Sequence, residues 1–132
     1  MKIATIIVRV LMGLMFLFAS IMFFLMYYFK VGSMPELKGN PKLFMDGMSA
    51  TGYFLPLLKT TELVCGLAFV SGFYVPLATV VIFPVVLNIL FYHSFLDPSG
   101  LPVAVPLMAA NLFLAYACRN HYRALLSPKI IR

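Results

Sequence analysis

Among the polar or ionisable side chains inside otherwise apolar runs of the sequence, nine stand out: Arg9, Ser20, Lys59, Thr60, Thr61, Glu62, Asn88, His93 and Asn111. Ionisable groups in such runs are costly to bury and mark candidate ligand, ion or proton sites. Glu62 carries the sharpest expectation. An isolated charge at the centre of a membrane span costs about 2.5–3.5 kcal/mol, so its carboxyl group must be paired or protonated. Arg9 is its first partner by charge, and Lys59, three residues earlier on the same helical face, is the second. Asn88 and Asn111 each bring donors and acceptors, as a fixed polar group or a buried ligand requires. His93 offers one imidazole for ligation or proton shuttling, although a single His near a span end also serves structure alone. The bland alternative for the whole set is interhelical glue that fixes the register of a bundle.

These residues need elements to hold them, and the composition says which. Of 132 residues, 63% are apolar and 11% charged, against about 45–50% and about 25% in soluble domains. Ten Lys and Arg with four Asp and Glu cannot cover the surface of a water-soluble fold of this length. The net charge of +6 raises the question of nucleic acid. The basic residues are not interleaved with aromatics on a polar face, however, so they read as charges flanking membrane spans.

A span needs about 20 mostly apolar residues to cross a hydrocarbon layer about 30 Å thick. Four segments qualify: 3–29, 53–73, 75–95 and 101–118. The first is too long for a signal-peptide core and lacks a small-residue cleavage site, so it is expected to remain as a helix. The segment 30–52 contains Gly32, Pro35, Gly39, Pro41 and Gly47 and reads as an external loop, with a short interfacial helix over Pro41–Ala50. Pro84 removes a hydrogen bond to the Val80 carbonyl and is expected to kink the third span next to Asn88. The predicted fold class is all-α, a transmembrane antiparallel four-helix bundle forming a single membrane domain.

Lys2 and the tail residues Arg119, Arg123, Lys129 and Arg132 put both termini in the cytoplasm, against the contrary weight of Lys30, Lys38 and Lys42. All seven Tyr fall near predicted span ends, where amphipathic rings settle. Counted from the cytoplasmic side, Arg9 stands about 9 Å deep, Asn111 about 12 Å, Glu62 about 16 Å and Asn88 about 18 Å. The four, one per helix, are expected to share the middle of the bilayer. Lys59 and His93 lie nearer the outer surface, at about 21 and 25 Å. Side chains lean toward their helix N-termini, which separates Arg9 from Glu62 and leaves room for a bridging water or ligand group.

Several chemistries are excluded or disfavoured. Cys65 and Cys118 lie at different depths, which disfavours a disulfide, and no Cys-x-x-Cys supports thiol exchange. There is no phosphate-binding loop, no metal-ligand spacing and no nucleophile elbow. Met34, Met45 and Met48 could offer soft ligands to Cu(I) but read as adaptable apolar filler.

The stretch ATGYFLPLLKTTELVCGLAFVSGFYVPLATVVIFPVVLNILFYHSFL, residues 50–96, followed by Asp97-Pro98 and the fourth span, resembles the DoxX-like family of small four-span membrane proteins. Its order is a Gly-Tyr-Phe and Lys opening, Glu62, Gly66, Gly72, a Pro-Leu-Ala segment, then Pro84, Asn88 and His93; Arg9 with Gly13 matches the family's usual start. The resemblance spans nearly the whole chain and is strongest over residues 51–98. It carries over the polar set Arg9, Lys59, Glu62, Asn88 and His93. It implies a bacterial inner-membrane protein associated with thiol, sulfur or oxidative-stress redox chemistry, since some relatives are membrane subunits of a thiosulfate:quinone oxidoreductase. A quinone is the cofactor implied, and Glu62 would exchange the proton.

Electron transfer would need a redox protein as partner, because the chain has no plausible flavin, haem or iron–sulfur site. Two other readings stand beside this one: a non-catalytic transporter or lipophile-binding bundle with Glu62 as ion or proton site, and a structural anchor for another membrane protein or a second copy of the chain. The bilayer is a partner in all three, nucleic acid in none. The orientation has a direct check. With Cys65 and Cys118 replaced by Ala, Gly39→Cys is expected to react with a membrane-impermeant thiol reagent added to intact cells, and a cytoplasm-dependent reporter fused after Arg132 to be active; the reverse pattern overturns it.

Overall fold

A computed structural model describes residues 2–29 and 37–128. Lys30, Gly32, Met34, Pro35, Glu36, Lys129 and Arg132, which the sequence places in the outer loop and basic tail, lie outside the described residues. Among the described residues five α-helices follow one another: α1 (Lys2–Tyr27), α2 (Asn40–Ala50), α3 (Phe54–Ser71), α4 (Val75–Phe95) and α5 (Leu101–Ala117), with single 3-10 turns at Pro98–Gly100 and Arg119–Tyr122. The fold is an all-helical bundle, and its helices α1, α3 and α4 and the run Pro98–Ala117 are long and apolar enough to cross a membrane.

Local chemistry sets the boundaries. Pro41, Pro76 and Pro102 stand in the first turns of α2, α4 and α5, where a missing N–H costs nothing. Helix α3 ends at Gly72, whose φ of 86° gives the left-handed cap and whose N–H donates to the Ala68 carbonyl. Helix α4 runs unbroken through Pro84.

Helix α1 shows how the bundle divides its faces. Met12, Gly13, Phe16, Ser20 and Phe23 point inward. Ile3, Ile7, Leu11, Leu14, Phe18 and Ile21 form an exposed stripe at the same helical spacing. An outer surface this apolar has lipid as its natural solvent. The core between the helices is built from Phe16, Phe69, Ile82, Val86 and Leu114, all essentially solvent-free.

The helices close a ring in which α1 packs on α3 and α5, and α4 packs on the same two. Paired positions reveal antiparallel neighbours. Arg9 meets Gly72 and Gly13 meets Gly66, while Phe23 lies beside Lys59 at the far end of the same pair of helices. On the other side, Pro76 meets Tyr122, Thr79 meets Asn111 and His93 meets Gly100. Helix α2 touches α3 and lays Phe44 against Tyr92 of α4, with ring centroids 5.4 Å apart.

The closest helix–helix approach is glycine-dependent. A Cβ on Gly13 would lie 2.8 Å from Val70 Cγ2 and 2.9 Å from the Gly66 carbonyl oxygen, and one on Gly66 would lie 3.1 Å from the Gly13 carbonyl oxygen. Gly13→Leu is therefore expected to lower stability by about 1–3 kcal/mol, as overpacking does. Gly47→Ala, where nothing lies within 4 Å of the new atom, serves as the neutral control. Thermal unfolding in detergent measures both, and an unchanged Gly13→Leu midpoint refutes the tight contact.

Candidate functional site

Glu62 shares the inward face of α3 with Leu55, Cys65 and Phe69, at spacings that put all four on one side of the helix. Its side chain is only 4% exposed, yet a formal charge partner stands beside it: Lys59 Nζ lies 3.0 Å from Glu62 Oε2. The Lys59 ammonium also lies 5.7 Å from the centroid of the Phe23 ring on α1, within the range of cation–π attraction. Ion-pair distance is met without hydrogen-bond geometry, so Glu62 Oε2 is buried with no hydrogen-bond partner. A buried acceptor in that condition costs about 1–3 kcal/mol, and more when charged. The carboxylate is thus held in place by one cation and retains capacity to accept a hydrogen bond.

Around this pair the bundle leaves a cavity of about 190 Å³. Glu62 and Lys59 line it from α3, and Asn88 and His93 from α4. Phe44, Met45 and Met48 of α2 roof it at the end of the bundle where α1 leads into α2. His93 is oriented by its own helix end. Its Nδ1 lies 3.1 Å from the Asp97 carbonyl oxygen, which can only accept, so Nδ1 carries a hydrogen and, in the neutral ring, Nε2 has the lone pair. The ring packs over Gly100, where a Cβ would collide with it.

Of the six candidate site residues Arg9, Lys59, Glu62, Asn88, His93 and Asn111, four therefore meet in one cavity: Lys59, Glu62, Asn88 and His93. Asn88 stands at its open rim and not in the bundle interior. Arg9 and Asn111 are elsewhere, and the shared mid-membrane layer of four polar residues is not formed. The Arg9 guanidinium lies against Gly72 at the C-terminal end of α3. Glu62 is ten residues up that helix, about 15 Å away along its axis. The reason is register: α1 and α3 meet at Gly13 and Gly66, one turn below places Arg9 beneath the α3 terminus, and a cation there complements the negative end of the helix dipole. Asn111 pairs with α4 lower down, its Nδ2 donating to the Thr79 carbonyl at 3.3 Å.

Three contributors escaped the sequence reading. Phe23 resembles any other aromatic in an apolar helix, and only the α1–α3 register reveals it as the surface beneath Lys59. The roof residues Met45 and Met48 read as filler because nothing local ties α2 to Glu62.

The Lys59–Glu62 pair has an energetic signature. Lys59→Met leaves a buried carboxylate alone and is expected to destabilise the bundle by about 2 kcal/mol more than the double substitution Lys59→Met with Glu62→Leu. The figure is held below the full penalty of a closed interior because Lys59 is 22% exposed. A double-mutant cycle by chemical unfolding in detergent measures it, and additivity of the two changes refutes the pairing. No family model matches this chain, and neither a curated protein nor a solved structure matches it.

Proposed function

We propose that the cavity around Glu62 binds the carbonyl-bearing ring of a membrane-soluble quinone, in a DoxX-like protein of the bacterial inner membrane with both termini cytoplasmic. One observation carries the reading: a buried carboxylate that still lacks a hydrogen bond, ion-paired at 3.0 Å, opens on a cavity of about 190 Å³ between apolar helices. The volume suits one substituted six-membered ring, since an apolar cavity of about 150 Å³ takes up benzene. The resemblance over residues 51–98 supports the same class of ligand.

A bound quinone supplies a ring that accepts two electrons and two protons. The chain's residues provide the polar contacts and the proton. Lys59 and the Asn88 amide are donors suited to the ring oxygens, and Leu55, Leu58 and Ile89 exclude water from its faces. Glu62 gives or takes one of the two protons, and the lone pair on His93 Nε2 offers a relay for the other between the ring and the outer loop. The electrons come from a redox protein partner, which makes this chain a binding subunit for the quinone and not a self-sufficient oxidoreductase.

Titration of the purified protein with short-chain ubiquinone and menaquinone analogues tests the reading. Saturable binding of either is expected, weakened about tenfold or more by Glu62→Gln, a factor equivalent to about 1.4 kcal/mol. Absence of saturable binding, or Glu62→Gln binding as well as the parent, overturns it. In the latter case, Glu62-dependent ion flux in reconstituted vesicles would assign the residue to transport.

A further inference from the structure

Two thioethers that the quinone reading leaves idle line the cavity around Glu62, those of Met45 and Met48 on α2. Along the chain no imidazole or thiol stands near them. The fold supplies one, because His93 of α4 lines the same cavity.

Packing alone accounts poorly for the pair. Helix α2 buries none of its residues, so its methionines fill no closed core. Met45 and Met48 are partly buried and stand three residues apart, which makes them neighbours on one helical face. Phe44 pins that face over the turn of α4 that carries His93, its ring centroid 5.4 Å from that of Tyr92. A methionine side chain has three rotatable bonds, which lets each sulfur adjust to a ligand in the cavity.

His93 is prepared for the same task. Its Nδ1 donates to the Asp97 carbonyl at 3.1 Å, the kind of outer contact that orients metal-ligating imidazoles. In the neutral ring the nitrogen left for a ligand is Nε2.

The donors select the ion. Thioethers are soft and favour Cu(I), whereas hard cations favour carboxylate and carbonyl oxygens. Among the described residues no three His, Cys, Asp or Glu side chains converge on a metal position, and neither cysteine lines this cavity. Charge points the same way. Lys59 and Glu62 form an ion pair that is neutral as a whole, so a monovalent ion is less costly to bring in than a divalent one. Lys59 is 22% exposed and its ammonium can turn toward water, leaving the Glu62 carboxylate as countercharge.

We propose that Met45, Met48 and His93 form a site for Cu(I) under α2, with the two thioether sulfurs and His93 Nε2 as ligands. The site does not rest on the quinone reading.

The test is an anaerobic titration of the purified, untagged full chain, with Cys65 and Cys118 replaced by Ala so that no thiol competes. Cu(I), kept reduced by ascorbate, is added against the chelator bicinchoninate. Binding of one Cu(I) per chain is expected, with sulfur as well as nitrogen around the metal in X-ray absorption spectra. Met45→Leu combined with Met48→Leu nearly conserves volume and is expected to weaken binding about 100-fold or more, since changes outside the ligand set alone cost about 10–100-fold. His93→Gln is expected to weaken it at least about tenfold; should that variant fail to fold, the methionine pair decides alone. Met108→Leu, on α5 and outside the cavity, is expected to leave binding unchanged and controls for methionine in general. Failure to bind Cu(I) stoichiometrically, binding that survives loss of Met45 and Met48, or a metal environment without sulfur overturns the proposal. No quinone enters this titration, so its outcome and that of the quinone titration are read separately.

Discussion

The contact between α1 and α3 at Gly13 and Gly66 governs the arrangement of this bundle. In lipid, helices gain little from hiding apolar side chains, and close packing of small residues takes over. Here each glycine sits where a Cβ would press on the backbone of the other helix. That contact sets the register of the antiparallel pair, and the polar side chains fall where the register puts them. Arg9 reaches the end of α3, and Lys59, at the other end, comes over the ring of Phe23.

The consequence is a bundle with two polar levels joined by an apolar core. At one level, Glu62, Lys59, Asn88 and His93 surround a cavity beneath α2. At the other, Thr79, Asn111 and Tyr122 bond to backbone carbonyls between α4 and α5. Between them stand solvent-free Phe16, Phe69, Ile82 and Val86. The two levels differ in chemistry. The first holds a cation, a carboxylate and an imidazole. The second is neutral, with hydroxyl and amide groups bonded to backbone carbonyls. Each leaves one buried oxygen without a hydrogen bond, Glu62 Oε2 above and Asn111 Oδ1 below.

Much of this was readable from local pattern. Helix α1 covers Lys2–Tyr27 where a span over 3–29 is expected, and α2 occupies Asn40–Ala50 where a short interfacial helix is expected, because hydropathy, Pro and Gly act over a few residues. The pairing of Lys59 with Glu62 was legible as one of two alternatives, since an i,i+3 pair is fixed by a single helix. Arg9 was the other, and it failed for a physical reason. Depth counted along separate helices assumes that all start at one plane, whereas the real offset is set by how Gly13 seats on Gly66. The same assumption put Asn111 in one layer with Asn88, about 6 Å from it in depth, yet Asn111 pairs opposite Thr79, nine residues before Asn88 and about 13 Å away along α4.

By itself, then, the sequence determined the solvent the protein is built for, the helices that meet it and the one acidic residue held within a span, because composition, periodicity and breaker residues are short-range properties. Only the tertiary structure decided which polar residues share a site. Interhelical register and the ring order of the helices depend on the fit of surfaces far apart in the chain. Those surfaces gather Lys59, Glu62, Asn88 and His93 under α2 and leave Arg9 at the end of α3 and Asn111 between α4 and α5.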